Sequence, residues 1–308
     1  MDRLRTLLTW LRKIPPERYA LLALLLLAGA LWWWAAALLP RPLAVTAFAV
    51  GKGDAFLIRA PSGRTVLIDG GSSDIPNVGP QLLVPNLMLE HVRRLDAIIL
   101  THPDSDHINA LPAVMEAMPV GMLLDPELPQ TEGTEYQQVI ETAMRRQIPH
   151  YRLRAGMTVD LGAGAILRIL APGETLMSGT VSDTNNNCVV CLLAYRQSTM
   201  LFTGDLETPG EQSLLANQPT LHADILKVAH HGSRNGTTDA FLDAVHPSIA
   251  LISCPGGTQS SHPHAETLAR LHARNIQVLR TDVSGQIHLT TYGHGWQTTT
   301  FRPAGSTR

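Results

Sequence analysis

The sequence predicts a mixed α/β fold in which two similar β-sheets face each other and helices cover their outer sides. Three features indicate this fold: two hairpins that each end in an aspartate, a helix after each hairpin, and a buried strand after each helix that leads into a histidine. The residues that mark these positions are Asp69, Asp96 and His102 in the first half, and Asp205, Asp224 and His230 in the second half. Because the spacing from the strand aspartate to the histidine is the same in both halves, we expect both histidine-bearing strand ends to meet in one cleft.

The first half contains a hairpin and a helix before a histidine-rich loop. The turn signal Pro61–Arg64 separates two short apolar runs, which predicts the hairpin. Leucines recur mostly on one side of residues 80–94, which predicts an amphipathic helix. The predicted elements are strands over 44–50, 55–59, 65–68 and 95–100, and helices over 80–94 and 111–118.

The second half alternates strands with helices. Apolar runs bounded by turn residues predict the strands, and helical periodicity predicts the helices. The polar segment Asp183–Asn187 predicts a loop. The predicted elements are strands over 158–161, 165–170, 188–195, 199–202, 223–229, 248–253, 276–280 and 286–291, and helices over 135–146, 207–216, 238–245 and 265–274.

An uncharged apolar segment, Tyr19–Leu39, precedes the predicted sheets. Its length is enough to cross a bilayer, and the Trp32–Trp34 cluster suits a membrane interface. Basic residues are concentrated before it, so the positive-inside rule predicts a single-pass protein with a cytoplasmic N-terminus and its folded domain outside the cytoplasmic membrane. The alternative is a cleaved signal peptide with Ala35–Ala37 as the processing site. The predicted organisation is a basic N-terminus over 1–18, a transmembrane helix or signal anchor over 19–39, a linker over 40–43 and a folded domain over 44–308.

The composition is typical of a loop-rich globular domain without a strongly basic surface. The chain has 308 residues, of which 16% are charged, with 24 glycines and 21 prolines. After Pro40 it has 19 lysines and arginines against 24 aspartates and glutamates, a formal net charge of −5. Cys188 and Cys191 face opposite sides of a predicted strand, so they are predicted, like Cys254, as buried apolar residues rather than zinc ligands.

The segment Thr101–His107 carries the densest group of candidate metal ligands. It places two imidazoles and two carboxylates directly after a buried strand. Neutral imidazole nitrogen and carboxylate oxygen are the ligands of catalytic divalent metals. The alternative is a solvated polar turn, since aspartate, serine and proline are ordinary turn residues. The candidate metal ligands of the whole chain are His102, Asp104, Asp106, His107, Asp205, His230 and His231, of which the last two are alternatives for one position.

So many candidate ligands exceed the needs of one structural zinc and predict two divalent ions. Two ions about 3.5–4 Å apart, bridged by a carboxylate and a hydroxide, activate water for displacement at phosphorus or at a carbonyl carbon. Asp205 is predicted as the bridging carboxylate, and Asp69 as an outer carboxylate that accepts a hydrogen bond from a ligand histidine. The oxygen-rich ligand set fits Mn²⁺ or Mg²⁺ as well as Zn²⁺.

Several short motifs resemble those of the metallo-β-lactamase superfamily and, more narrowly, those of the hydrolase domain of ComEC competence proteins. The motifs are Asp69–Gly71, His102–His107, Thr203–Asp205 and His230–Ser233. Val50–Asp54 is similar to the V-G-Q-G-D of the ComEC group, with Lys52 in place of glutamine. Ser261–Pro263 and Arg280–Asp282 are similar to its late G-H-P and R-T-D signatures. The superfamily's third motif, often a histidine, falls in Asn185–Asn187.

The resemblance implies an αββα four-layer sandwich and a metal-dependent hydrolase. Its ComEC part implies a nuclease or phosphodiesterase connected with competence and DNA uptake, which degrades a single DNA strand on the periplasmic side of the cytoplasmic membrane. The resemblance also implies that His262 binds a metal or a substrate phosphate, and the alternative is a histidine that only caps a helix or lies in a loop. The implied catalytic residues are Asp106, Asp205 and His262, and the residues expected beside the ligands are Asp69, Asn187 and Ser233.

Other functions stay open on the sequence alone. The acidic charge keeps smaller substrates open, such as a nucleotide, a phosphonate, a lactone or a thioester. A non-catalytic metal-binding assembly module is a second alternative, although the complete ligand set argues against it. A β-lactam hydrolase is disfavoured because Asp104 stands where most of the superfamily has a histidine.

Overall fold

The computed structural model describes residues 15–129, 135–256 and 261–301, which fall into two units divided between residues 41 and 42. In the first unit, helix α1 extends over Pro16–Leu38. Across the described part of the chain, none of the helices combines the length and the apolar character that a membrane span requires. The membrane span predicted over 19–39 therefore stays a prediction.

The described part of the second unit contains two β-sheets. In chain order their strands are β1 (Leu43–Ala47), β2 (Phe56–Arg59), β3 (Thr65–Ile68), β4 (Ala97–Ile99), β5 (Leu123–Asp125), β6 (His150–Arg152), β7 (Thr158–Gly162), β8 (Ala165–Ala171), β9 (Val190–Tyr195), β10 (Ser198–Phe202), β11 (Ile225–Lys227), β12 (Ile249–Ile252), β13 (Gln277–Arg280), β14 (Ile287–Thr291) and β15 (Gln297–Thr300). The first sheet has the order β15-β14-β1-β2-β3-β4-β5-β6, and the second has the order β13-β12-β11-β10-β9-β8-β7.

Short helices connect the strands. They are α2 (Val84–Leu89), α3 (Ser105–Ile108), α4 (Leu111–Ala117), α5 (Glu135–Arg145), α6 (Asp183–Asn186), α7 (Thr208–Asn217), α8 (Asp239–Val245), α9 (Ala265–Ala273) and α10 (Thr281–Ser284). A π-helical turn over Gly79–Leu83 leads into α2, and a 3₁₀ turn over Ala229–Gly232 follows β11.

Three apolar cores separate four layers of structure. The central core lies between the sheets, where the Phe56 and Phe202 rings meet edge to face with their centroids 5.4 Å apart. The adjacent strand residues Leu57 and Leu201 point the other way, into the two outer cores that the helices cover. This alternation is expected for strands buried on both faces. The predicted two-sheet α/β sandwich with helices outside is confirmed.

The parallel strands of each sheet direct their carboxyl ends to one edge. Strands β3 to β6 are parallel in the first sheet, and β10 to β13 are parallel in the second. The two halves also share a local contact, because Thr65 N–H donates to Asp96 at 2.8 Å and Thr199 N–H donates to Asp224 at 2.7 Å. The repeated order in the sequence therefore corresponds to a repeated structure.

Several predicted elements differ in the structure. The predicted loop over Asp183–Asn187 is wrong, because residues 183–186 form α6, whose first turn is capped by the Ser182 hydroxyl. The helix predicted over 80–94 ends at Leu89, and His91 just beyond it has a left-handed φ of 58°, as is common after a helix end. Strands β5, β6 and β15 were not predicted, because two of them have only three residues and β15 is polar.

Candidate metal centre

His102 and His107 enter the centre from the carboxyl end of β4 and from α3. Both imidazoles are fully buried. His107 Nδ1 donates to Asp69 Oδ2 at 2.8 Å, which leaves Nε2 as the nitrogen that can bind a metal. The Thr101 hydroxyl donates to Asp69 at 2.8 Å, so at 3.0 Å it accepts from His102 Nδ1. Thr101 and Asp69 thus fix both rings in the form that presents Nε2 to a ligand.

His230 and His231 enter from the second sheet on the turn after β11. Both have left-handed backbone conformations, with φ of 49° and 51°, which are uncommon for residues with a side chain and concentrate at functional sites. His231 is fully buried, and its Nδ1 donates to the Ser253 carbonyl at 3.1 Å. The His230 side chain is 23% exposed, with Nδ1 3.4 Å from Glu207 Oε1. The structure therefore brings both histidines to the centre, and His231 is the more firmly braced.

Asp205 is the point on which these imidazoles converge. It follows β10 and is 2% exposed. Its Oδ1 atom lies 3.2 Å from His107 Nε2. Its Oδ2 atom lies near the Nε2 atoms of the other three imidazoles. The distances are 3.6 Å to His231, 3.7 Å to His230 and 4.0 Å to His102. Imidazole nitrogens therefore lie beside both carboxylate oxygens of Asp205, and its role as a bridging ligand stays a prediction.

The two aspartates of the loop differ in depth. Asp106 is the deeper one, with a 16% exposed side chain and its Oδ2 3.5 Å from His231 Nε2. Asp104 is 47% exposed, and its Oδ2 lies 3.6 Å from His102 Nε2. Each carboxylate can therefore share a cation with the histidine beside it.

The donor set fits divalent metal ions. Several buried atoms at the centre have no hydrogen-bond partner among the described residues, including Nε2 of His102, His107 and His231 and Oδ1 of Asp205. Buried polar atoms without a partner are costly and rare, so atoms of this kind that converge indicate a ligand. The ligand atoms of His102, His107 and Asp205 lie within 4.8 Å of one another, as do those of Asp106, His107 and His231. These are two candidate ligand groups that share His107.

Electrostatics of the metal-free centre agree with this interpretation. Burial alone would lower the pKa of His107, but the Asp205 and Asp69 carboxylates raise that pKa well above its ordinary value. Burial would likewise raise the pKa of Asp205, but His107 and His231 hold it well below its ordinary value. These directions favour a protonated His107 between two carboxylates, and a metal ion bound at Nε2 would displace that proton.

Asp54 and Lys227 lie at the centre although sequence reasoning did not place them there. Asp54 is 1% exposed, with Oδ1 3.6 Å from His231 Nδ1 and Oδ2 3.7 Å from His107 Nδ1. Lys227 is also 1% exposed and forms an ion pair with Asp54. A lysine inside the apolar run 225–228 was the available signal, since a buried ammonium group needs a partner.

His262 lies beside the ligand histidines. Its ring is stacked on His230 with centroids 5.8 Å apart, and the His264 ring lies 4.7 Å away on another side. Burial, together with His264 and His230, lowers the pKa of His262 to about 4. A neutral imidazole thus stands next to the centre, and its catalytic role stays a prediction.

Asn187 and Ser233 brace turns in the structure. Asn187 Oδ1 accepts from Met177 N–H at 2.8 Å, and its Nδ2 donates to the Met177 carbonyl at 2.8 Å. The Ser233 hydroxyl accepts from Asn235 N–H at 3.3 Å. In the described ranges, neither side chain is hydrogen-bonded to a candidate ligand, so their predicted support of the ligands stays a prediction.

The two-sheet fold and the His/Asp centre define the class of protein. Residues 49–256 match the metallo-β-lactamase superfamily, and the chain belongs to this family. The fold of this family binds divalent metals, and it supports a metal-dependent hydrolase in general.

The relatives of the chain include proteins named ComE operon protein 3, Competence protein ComA and Recombination protein 2, which is consistent with the ComEC-type resemblance. It is 31% identical over 251 residues to ComE operon protein 3 of Bacillus subtilis (strain 168), a match that covers 77% of this chain and 32% of that protein. It is 31% identical over 245 residues to Competence protein ComA of Neisseria gonorrhoeae, which covers 79% of this chain and 32% of that protein. The chain thus spans about a third of the length of these relatives.

A solved structure shows a similar fold. CmlA, a diiron β-hydroxylase from Streptomyces venezuelae, matches with a TM-score of 0.50 and 14% identity over 85% of this chain and 55% of that one. At this identity the likeness concerns the fold alone.

Proposed function

We propose that this chain is a metal-dependent phosphodiesterase that cleaves single-stranded DNA outside the cytoplasmic membrane. One observation carries the proposal: the Nε2 atoms of His107 from the first half and His231 from the second half converge on the two oxygens of Asp205. Family membership supports hydrolysis, and similarity to competence proteins supports a nucleic-acid substrate.

Charge balance favours two divalent ions, Zn²⁺ or Mn²⁺. Six carboxylates and one ammonium group lie at the centre or directly beside its histidines with a formal charge of −5, most of which two divalent cations would offset; they are Asp54, Asp69, Asp104, Asp106, Asp205, Glu207 and Lys227. His102, Asp104 and Asp205 would hold one ion, while Asp106, His107 and His231 would hold the other with Asp205 shared. Ions held by these residues would lower the pKa of a water molecule and polarise the oxygens of a phosphodiester.

The side chains around the ligands orient them. Asp69 and the Ser253 carbonyl keep the protons of His107 and His231 on Nδ1, and so direct the Nε2 lone pairs inward. His262, stacked on His230, stands where it can contact a substrate phosphate as a neutral hydrogen-bond donor.

The test uses purified full-length protein loaded with Mn²⁺ or Zn²⁺ and end-labelled single-stranded DNA. Asp205→Asn removes the shared carboxylate, and we expect it to abolish cleavage. Asp243→Asn is the matched control, since Asp243 is exposed and pairs with Arg274 away from the centre. Equal cleavage by wild type and Asp205→Asn would refute the proposal, as would the absence of cleavage by metal-loaded wild type.

A small phosphodiester or ester is the second candidate substrate. The net charge of −5 after Pro40 favours it, because non-specific DNA binding usually depends on a basic surface. Turnover of bis-p-nitrophenyl phosphate, a nucleotide, a phosphonate, a lactone or a thioester, lost in Asp205→Asn and without DNA cleavage, would support this candidate.

We also propose that residues 19–39 anchor the chain in the cytoplasmic membrane with the hydrolase domain on the periplasmic side. The support is the uncharged run of 21 residues and the basic residues before it. Protease added to intact spheroplasts should degrade the domain. If the domain is degraded only after lysis, the proposed orientation is wrong.

A further inference from the structure

Lys227 occupies an unusual position for a charged residue. It is the last residue of β11, on the same face as Ile225, whose side chain packs in the central core between the sheets. Its neighbours Leu226 and Val228 face the outer core. Strand alternation thus directs the ammonium group into the layer between the sheets, directly below the candidate metal centre.

The partners of Lys227 come from both sheets. Its Nζ forms an ion pair with Asp54, which lies between β1 and β2 of the first sheet. It also donates to the Gly204 carbonyl at 2.7 Å and lies 3.6 Å from Asp205 Oδ1, both directly after β10 of the second sheet. A permanent cation therefore joins the two sheets at the carboxylate on which the histidines converge.

Asp54 extends this contact to two ligand histidines. Its Oδ2 lies 3.7 Å from His107 Nδ1, and its Oδ1 lies 3.6 Å from His231 Nδ1. Its Oδ1 is buried and has no hydrogen-bond partner among the described residues, so the carboxylate is held mainly by Lys227. The pair therefore contacts one candidate ligand through the lysine and two through the aspartate.

We propose that Lys227 and Asp54 are positioning residues that hold Asp205, His107 and His231 in register for metal binding. Lys227 holds the Asp205 carboxylate through its ammonium group, and Asp54 holds Lys227 in place. Asp54 also supplies negative charge on the Nδ1 side of the two imidazoles. Neither residue needs to touch a metal. The inference rests on the proposed metal centre and adds a cross-sheet ion pair as its support.

The experiment titrates full-length metal-free protein with Co²⁺ and records the visible absorption spectrum, which reports the geometry of the ligands around cobalt. We expect Lys227→Met to weaken Co²⁺ binding by at least about tenfold, the effect typical of losing an outer partner of a ligand, and to change the spectrum. Lys227→Met also leaves Asp54 buried and unpaired. The double variant Asp54→Asn with Lys227→Met removes both charges, so it should melt at a higher temperature than the single variant and still bind Co²⁺ weakly.

Ser198→Ala is the matched control for a general loss of stability. Ser198 is fully buried, and its hydroxyl is hydrogen-bonded to Thr291 Oγ1 at 2.8 Å. It is the first residue of β10, at the opposite end of that strand from Asp205. The variant should lower the melting temperature and leave Co²⁺ affinity and spectrum unchanged.

Two results would overturn the inference in distinguishable ways. Wild-type affinity and spectrum in the double variant would show that the pair does not position the ligands, while the proposed metal centre would stand. Failure of wild type to bind Co²⁺ would remove the metal centre and this inference together. If Lys227→Met is too unstable to purify, the Co²⁺ affinity and spectrum of the double variant test the inference.

Discussion

Asp69→Asn tests whether an outer carboxylate sets the metal-binding form of His107. Asp69 is 1% exposed and accepts three hydrogen bonds, from Thr101 N at 2.7 Å, Thr101 Oγ1 at 2.8 Å and His107 Nδ1 at 2.8 Å. Asparagine has the same size and tolerates the left-handed conformation of this residue, whose φ is 57°. The perturbation is therefore confined to the charge and one acceptor.

The expected magnitude follows from these contacts. If the oxygen of the substituted asparagine keeps the Thr101 N–H, its amide NH₂ group faces His107 Nδ1, where a donor then meets a donor. The same NH₂ group also replaces the acceptor of the Thr101 hydroxyl, so two charge-assisted hydrogen bonds are lost, and each loss should lower the free energy of unfolding by about 1.5–3 kcal/mol. His107 can escape the clash by moving its proton to Nε2, the atom that faces Asp205, and this should weaken metal binding by about 10- to 100-fold.

Two measurements on the full-length protein check this prediction. Urea unfolding of the metal-free protein gives the stability change, and competition with a coloured chelator gives the metal affinity. Asp96→Asn is the control, because Asp96 also accepts from a threonine N–H, Thr65, but is not among the candidate ligand groups. A loss of stability in Asp69→Asn with unchanged metal affinity would refute the reasoning, since Asp69 would then only brace the loop.

Three further predictions concern the same domain. Asp106→Asn should reduce metal affinity and the rate of hydrolysis more than Asp104→Asn, because Asp106 is more buried and its carboxylate approaches His231. Competition with a chelator and initial rates measure the two effects, and equal effects in both variants would contradict the prediction. Cys191→Ala should keep the rate of hydrolysis within about twofold of the wild-type rate, and it should lower the free energy of unfolding by about 1 kcal/mol, because the thiol packs in the central core. A large loss of rate would show that the thiol contributes to the centre. Binding of fluorescent single-stranded DNA should require metal in an anisotropy titration, because the metal-free centre carries excess negative charge; equal binding in EDTA would place the DNA elsewhere.

The candidate ligands could be predicted because their chemistry is local in the sequence. His102 to His107 present two imidazoles and two carboxylates within one loop, and the repeated Asp-to-His spacing places the second set at the corresponding strand end. The choice between His230 and His231 could not be made, because it depends on a left-handed turn that directs both rings to Asp205. The hydrogen bond between Asn187 and Met177 could not be predicted either, because Met177 lies ten residues away in an irregular segment.

The contact between Asp54 and Lys227 could not be predicted from the sequence and required the tertiary structure. Asp54 belongs to a recognisable motif, but nothing in that motif indicates which distant residue its carboxylate faces. Lys227 lies in an apolar strand, where alternation alone puts it in the central core and cannot name its partner. Their contact depends on how two sheets from different halves of the chain align, which no local pattern encodes. A centre built where two sheets meet needs such cross-sheet contacts, because the ligands of each half would otherwise be positioned independently. On this argument the proposed role of the Asp54–Lys227 ion pair is to hold the two separately predicted strand ends together as one candidate metal centre.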